Sequence, residues 1–190
     1  MNKLSVPFVL WFTGFSGAGK STIAQALADQ LSKMDINTFN LDGDVLRTGL
    51  NKDLGFRDAD RSENIRRVGE VAKLFLQAGI LPLVTLISPF REDRDSVRSM
   101  FESGKFIEVY VKCALEECER RDVKGLYKQA REGSINYFTG ISSPYEEPDF
   151  AELVVETDKL NIQESVEIVI NYLVTRGLVE IPQYMLGRSG

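Results

Sequence analysis

The stretch from Pro7 to Ser21 constrains this chain more than any other. Pro7 to Thr13 is a short, almost wholly apolar run, as expected of a strand buried on both faces of a parallel sheet. It leads directly into Gly14-Phe15-Ser16-Gly17-Ala18-Gly19-Lys20-Ser21, which spells G-x-x-x-x-G-K-[ST]. Beyond Lys20, the residues Ile23, Ala26, Leu27, Ala28 and Leu31 recur at helical spacing. A strand, a glycine-rich turn and a helix in that order make a phosphate cradle. The small residues let successive backbone N–H groups curl around an anion, and the helix turns its positive end toward the same charge. In such a cradle Lys20 reaches the β- and γ-phosphates of ATP and the Ser21 hydroxyl ligates Mg²⁺, with Gly14, Ser16, Gly17, Ala18, Gly19 and Thr22 completing the nucleotide contacts. The plain alternative is a glycine-rich turn that happens to contain lysine and serine. The fixed spacing between strand and helix argues against it.

The remaining periodicity extends that beginning into a fold. Strands are expected at Asn37–Leu41, Ile80–Ile87, Phe106–Lys112 and Ala151–Val155, and helices at Arg61–Ala78, Glu92–Glu102, Leu115–Arg121 and Gln163–Arg176. Five strands separated by helices predict a three-layer α/β fold of the P-loop NTPase type, a five-stranded parallel sheet with helices on both faces. A chain of 190 residues, 43% of them hydrophobic, suits one such domain over residues 1–180, followed by a loosely held tail at 181–190. The polar stretch from about residue 120 to 148 interrupts the alternation and reads as a lid.

Composition then removes whole classes of chemistry. There is no histidine, so imidazole bases and His-ligated zinc are excluded. The two cysteines, Cys113 and Cys118, lack companion ligands for a metal. A net charge of −5 offers no field for nucleic acid, and no apolar run approaches the 18 or so residues that a membrane span needs. A cytoplasmic protein acting on a small-molecule nucleotide is expected, with neither nucleic acid nor membrane as partner. Within the phosphate-loop proteins, a guanine-reading N-K-x-D is missing, because Asn51-Lys52-Asp53 is followed by Leu54. The third apolar strand ends in Ser88 rather than in the aspartate that many ATPases use for magnesium. The acidic groups must come from Asp42-Gly43-Asp44, which closes the second strand at the same sheet edge as the cradle. Asp42 is read as a metal and acceptor-hydroxyl ligand, while an Asx-turn or helix cap is the alternative for both aspartates.

Longer runs carry a resemblance. Asp42-Gly43-Asp44-Val45-Leu46-Arg47, Leu50-Asn51-Lys52-Asp53-Leu54-Gly55-Phe56, Asp58-Ala59-Asp60-Arg61 and Glu63-Asn64-Ile65-Arg66-Arg67 resemble adenylylsulfate kinases. So do Ile87-Ser88-Pro89-Phe90-Arg91, Arg121-Asp122-Val123-Lys124-Gly125-Leu126-Tyr127 and Phe138-Thr139-Gly140-Ile141, in order and over nearly the whole chain. The resemblance implies transfer of the ATP γ-phosphoryl group to the 3′-hydroxyl of adenosine 5′-phosphosulfate, with Lys20 and Asp42 as catalytic residues and a homodimeric assembly. It implies that Phe56 and Phe138 sandwich the acceptor's adenine. Asp44, Arg47, Arg61, Asn64, Ile87, Ser88, Lys124 and Leu126 are implied on the acceptor's phosphosulfate and ribose, and Arg121 on the donor nucleotide. Of the lid cations Arg120, Arg121, Lys124, Lys128 and Arg131, one or two are expected to act and the rest to be solvated.

One departure keeps an alternative open. The family's acidic residue after Phe-Thr-Gly-Ile is replaced here by Ser142, which leaves room for a related acceptor such as cytidine diphosphoramidate. A catalytically inactive nucleotide-binding partner subunit is the alternative from another class. A sugar or shikimate kinase fits the paired phenylalanines poorly.

Overall fold

A computed structural model of the chain describes residues 6–180. The tail expected from residue 181 onward lies outside the described residues. Five parallel strands, β1 (Val9–Thr13), β2 (Thr38–Asp42), β3 (Leu81–Thr85), β4 (Phe106–Lys112) and β5 (Leu153–Glu156), lie in the order β2-β3-β1-β4-β5. The connecting helices are α1 (Lys20–Lys33), α2 (Gly43–Thr48), α3 (Asp58–Gln77), α4 (Arg91–Arg98), α5 (Leu115–Arg121), α6 (Leu126–Arg131) and α7 (Ile162–Thr175). Among the described residues no helix is long and apolar enough to cross a membrane.

Alternation along β1 divides the core into two layers. Phe8, Leu10 and Phe12 face α1 and α7, where Ile23, Leu27, Leu31, Val166, Val169 and Leu173 are buried. Val9 and Trp11 face α3 and α4, against Ile65, Val68, Ala72 and Val97. The expected helices therefore cover both sheet faces, and β1, buried at every position, is the middle strand. The chain leaves β1 for the edge strand β2, returns to insert β3 between them and then crosses to β4, and the carboxyl ends of β1, β2 and β3 open into one crevice.

Three differences from the expected elements have local causes. β3 stops at Thr85 instead of Ile87, because Ser88 turns into positive φ (40°) ahead of Pro89. α3 begins at Asp58, with Asp58 and Asp60 placing negative charge in its first turn. The segment read as a lid over 120–148 is a polar loop only in part. It contains α6, and Tyr127, Ala130, Phe138 and Thr139 are buried. Some of its apolar side chains serve the core, while Val123 is exposed and Lys124, Lys128 and Arg131 face solvent, a split that composition averages away.

Candidate active site

The phosphate loop is shaped by glycine and clamped from beneath. Gly14 has φ 144°, and a Cβ there would stand 2.4 Å from the Val111 carbonyl oxygen, so only glycine fits against β4. Gly17 and Gly19 also have positive φ, which curls residues 14–19 into a concave turn before α1. Two distant side chains hold this turn by its carbonyls. The Tyr127 hydroxyl donates to Ser16 (2.9 Å), and the Thr157 hydroxyl donates to Ala18 (2.7 Å). The Lys20 ammonium donates to the carbonyls of Gly14 (2.9 Å) and Phe15 (2.7 Å). Only 8% exposed, Lys20 is pushed down by burial to a pKa of about 8, against the upward pull of Asp44 and Asp42.

Asp42 sits across the cradle where the sequence placed it. One of its oxygens accepts from the Ser21 hydroxyl (2.5 Å) and the Thr85 hydroxyl (2.9 Å), and the other accepts from the Asp44 backbone N–H (2.9 Å). Burial pushes the Asp42 carboxyl up, but the donations from Ser21, Thr85, Asp44 and Val45 outweigh it and hold the group below the ordinary carboxylate range. The two readings of this residue are thus compatible: Asp42 caps α2 and also faces the cradle. Asp44 is exposed and pairs with Lys124, which reaches across the cleft from the loop before α6. An ionised carboxylate beside a hydroxyl is a hard oxygen set that suits Mg²⁺.

The second half of the cleft is built from α2, the loop 50–57 and α3. Arg47 donates to the carbonyls of Leu54 (3.1 Å) and Gly55 (2.8 Å), and its guanidinium lies 4.4 Å from the Phe56 ring centroid. Arg61 donates to the carbonyls of Phe56 (3.0 Å) and Tyr137 (2.6 Å). Phe56 is held at the wall of the cleft with half of its surface exposed. The fully buried Asn51 donates to the Asn64 amide oxygen (2.9 Å), so the Asn64 amide nitrogen is the end available as a donor. Arg67 grips Asp53 with two hydrogen bonds (2.8 and 2.9 Å) and fixes the base of the loop.

One continuous cleft is lined by Ser16, Gly17, Gly19, Lys20, Ser21, Thr22, Asp42, Asp44, Arg47, Phe56, Arg61, Asn64, Ile87, Ser88 and Lys124. Gly14 and Ala18 form the loop behind that wall. Three further expected residues do not line the cleft in this structure. Phe138 is 8% exposed and packs edge-on against Tyr127, with centroids 4.9 Å apart, because a ring this apolar is taken into the layer under α6. Leu126 packs against the same core. Arg121 pairs with Glu117 and donates to the Thr157 carbonyl (2.7 Å), so its link to the phosphate loop is indirect. Arg120 and Arg131 pair with Glu117 and Glu119 on the surface, leaving Lys124 as the cation of that group that lines the cleft. Sequence reasoning missed Thr85, Asn51, Tyr127 and Thr157. Thr85 is the register partner of Asp42 in the β2–β3 pair, a relation that sequence does not reveal. Asn51 lay within a run already singled out for resemblance.

Residues 6–156 match the family model described as adenylylsulphate kinase. The adenylyl-sulfate kinase of Geotalea uraniireducens is 58% identical over 170 residues, covering 90% of this chain and 82% of that protein. The structure of Mycobacterium tuberculosis APS kinase CysC in complex with AMPPNP and APS superposes with a TM-score of 0.85 at 45% identity, covering 88% of this chain and 98% of that one. A hexameric APS kinase from Thiobacillus denitrificans superposes with a TM-score of 0.70 at 33% identity, covering 93% of this chain and 30% of that longer one.

Proposed function

This chain belongs to the adenylylsulphate kinase family, and from that premise we propose that its cleft holds two nucleotides end to end, ATP over Gly14–Thr22 and the acceptor against Phe56, Arg47, Arg61 and Asn64. The chain is an ATP-dependent phosphotransferase with an alcohol acceptor. It transfers the γ-phosphoryl group to the 3′-hydroxyl of adenosine 5′-phosphosulfate, giving ADP and 3′-phosphoadenosine 5′-phosphosulfate. The observation that carries the site reading is that cradle and acceptor wall are continuous, with Asp42 at their junction.

The reaction breaks the bond between the γ-phosphorus and the β,γ-bridging oxygen and forms one from phosphorus to the 3′-oxygen. Lys20 and the loop amides take the charge that collects on the leaving diphosphate. Asp42 accepts a hydrogen bond from the 3′-hydroxyl and aims its lone pair in line. Hydrogen-bonded as it is, Asp42 is a weak base, which suits a loose transition state in which the 3′-hydroxyl proton passes to Asp42 only late. Ser21 and Asp42 would hold Mg²⁺, which when bound neutralises phosphate charge. Arg61, Asn64 and Lys124 supply donors for the acceptor's ribose and phosphosulfate, and the free face of Phe56 supplies a stacking surface.

Ser142 bears on the choice of acceptor. Its hydroxyl accepts from the Phe138 backbone N–H (2.9 Å), so the turn is closed here by a neutral acceptor. Release of ADP from ATP, measured with adenosine 5′-phosphosulfate and with cytidine diphosphoramidate as alternative acceptors, tests the reading. Turnover is expected with the first, and turnover with the second alone overturns it. The proposal extends to a cytoplasmic homodimer, which rests on family resemblance. A sedimentation measurement giving a monomer or hexamer refutes the dimer.

A further inference from the structure

That mechanism leaves one buried cation unused. Arg94 on α4 is 2% exposed and does not line the cleft, yet its guanidinium is fully engaged. It donates to the Ser88 carbonyl (2.6 Å) and to the Glu146 carbonyl (2.7 Å), and it pairs with Glu108 of β4 (2.7 Å). Ser88 lines the cleft at positive φ, a backbone state that a non-glycine residue keeps only when its surroundings impose it. Those surroundings can be named. Trp11 donates its indole N–H to the Ser88 hydroxyl oxygen (3.1 Å), and Thr13 donates to the Ile87 carbonyl (2.7 Å). The Glu146 backbone N–H donates to the Pro89 carbonyl (2.8 Å), which ties the segment after the 138–143 turn to the same wall.

We propose that Arg94 is a positioning residue for the acceptor: by gripping the Ser88 and Glu146 carbonyls with one planar fork, it fixes the turn 87–89 so that the Ser88 hydroxyl presents its hydrogen to the acceptor nucleotide. Trp11 already fills an acceptor lone pair on that oxygen, which leaves the Ser88 hydrogen for a partner in the cleft. A lysine could not reproduce the grip, since a point charge lacks the fork that meets two carbonyls at once. The proposal rests on the acceptor-site reading of Ser88.

The test must separate positioning from folding, because removing Arg94 alone leaves Glu108 buried beside one cation rather than two. The double variant R94M/E108Q removes the stranded charge. Arg98→Gln is the control, since Arg98 pairs with Glu108 and Glu152 but touches neither Ser88 nor Glu146. KM for each substrate, kcat and Tm are measured for all variants. We expect R94M/E108Q to raise the KM for adenosine 5′-phosphosulfate on the order of ten-fold while the KM for ATP stays near the parent value. Arg94→Lys gives a several-fold rise, and Arg98→Gln lowers Tm with no change in acceptor KM. An acceptor KM within two-fold of the parent in R94M/E108Q, or one that rises in Arg98→Gln in step with lost stability, overturns the proposal. Should the double variant fail to fold, Arg94→Lys decides by the same split. Ser88→Ala distinguishes the two layers of argument. A parent-like acceptor KM there removes the acceptor-site reading of Ser88, whereas a raised one beside an unaffected R94M/E108Q removes only the role of Arg94.

Discussion

The two halves of the cleft are built differently. On the side proposed for ATP the wall is largely backbone, joined by the Lys20 and Ser21 side chains: a glycine-shaped turn whose carbonyls are held by Tyr127 and Thr157 and whose geometry is fixed by contact with β4. On the side proposed for the acceptor it is mainly side chain, with Arg47 and Arg61 gripping loop carbonyls, Arg67 holding Asp53, Asn51 setting the Asn64 amide and Phe56 half exposed. A triphosphate looks the same to every enzyme that uses it, so rigid amides suffice. The acceptor distinguishes one enzyme from another, and side chains can be changed one at a time without rebuilding a strand.

This contrast can be broken in graded ways. The largest effects belong to the cradle and the junction: Lys20→Ala and Asp42→Asn should each lower the rate of ADP release on the order of 10²-fold or more at saturating substrates. A parent rate for Asp42→Asn would remove it from the junction. Phe56→Ala should raise the acceptor KM by about ten-fold, the loss of one stacking face, with ATP affinity nearly unchanged. Equal losses for both substrates would show that the halves are not separable.

A pH effect comes next. Lys20 loses its proton in the folded chain near pH 8, whereas unfolded it keeps it to 10.5. Affinity of the free enzyme for a non-hydrolysable ATP analogue should therefore weaken as pH rises through about 8. Between those two values the unfolded chain binds more protons, so the Lys20 contribution to stability increases with pH. Denaturation profiles of Lys20→Met should lack that increase. The smallest effect is Lys124→Met, which removes an exposed pair with Asp44 and should change stability by less than about 1 kcal/mol. A larger loss in chemical denaturation would make the cross-cleft contact structural.

Legibility in the sequence followed the range of the interactions. β4 and α5 match their expected bounds, Phe106–Lys112 and Leu115–Arg121, because apolar spacing alone defines them. The phosphate loop was legible because its residues act together within eight consecutive positions. Thr85 beside Asp42, Tyr127 under Ser16 and Arg94 behind Ser88 were not, since each depends on strand register or on which helix face turns inward. Phe138 shows the converse limit: the run that carries it was recognised, but whether its ring meets the cleft or Tyr127 is a packing question.

The bond from Thr157 to Ala18 joins positions 139 residues apart. As the protein is synthesised from its amino terminus, the nucleotide loop emerges early and waits. Strand β5, with Thr157 just beyond it, and helix α7, which rests on α1, must both leave the ribosome before the loop acquires its final support. Premature termination between residues 34 and 156, after α1 and before Thr157, should therefore yield chains that carry the whole signature motif and still bind no nucleotide.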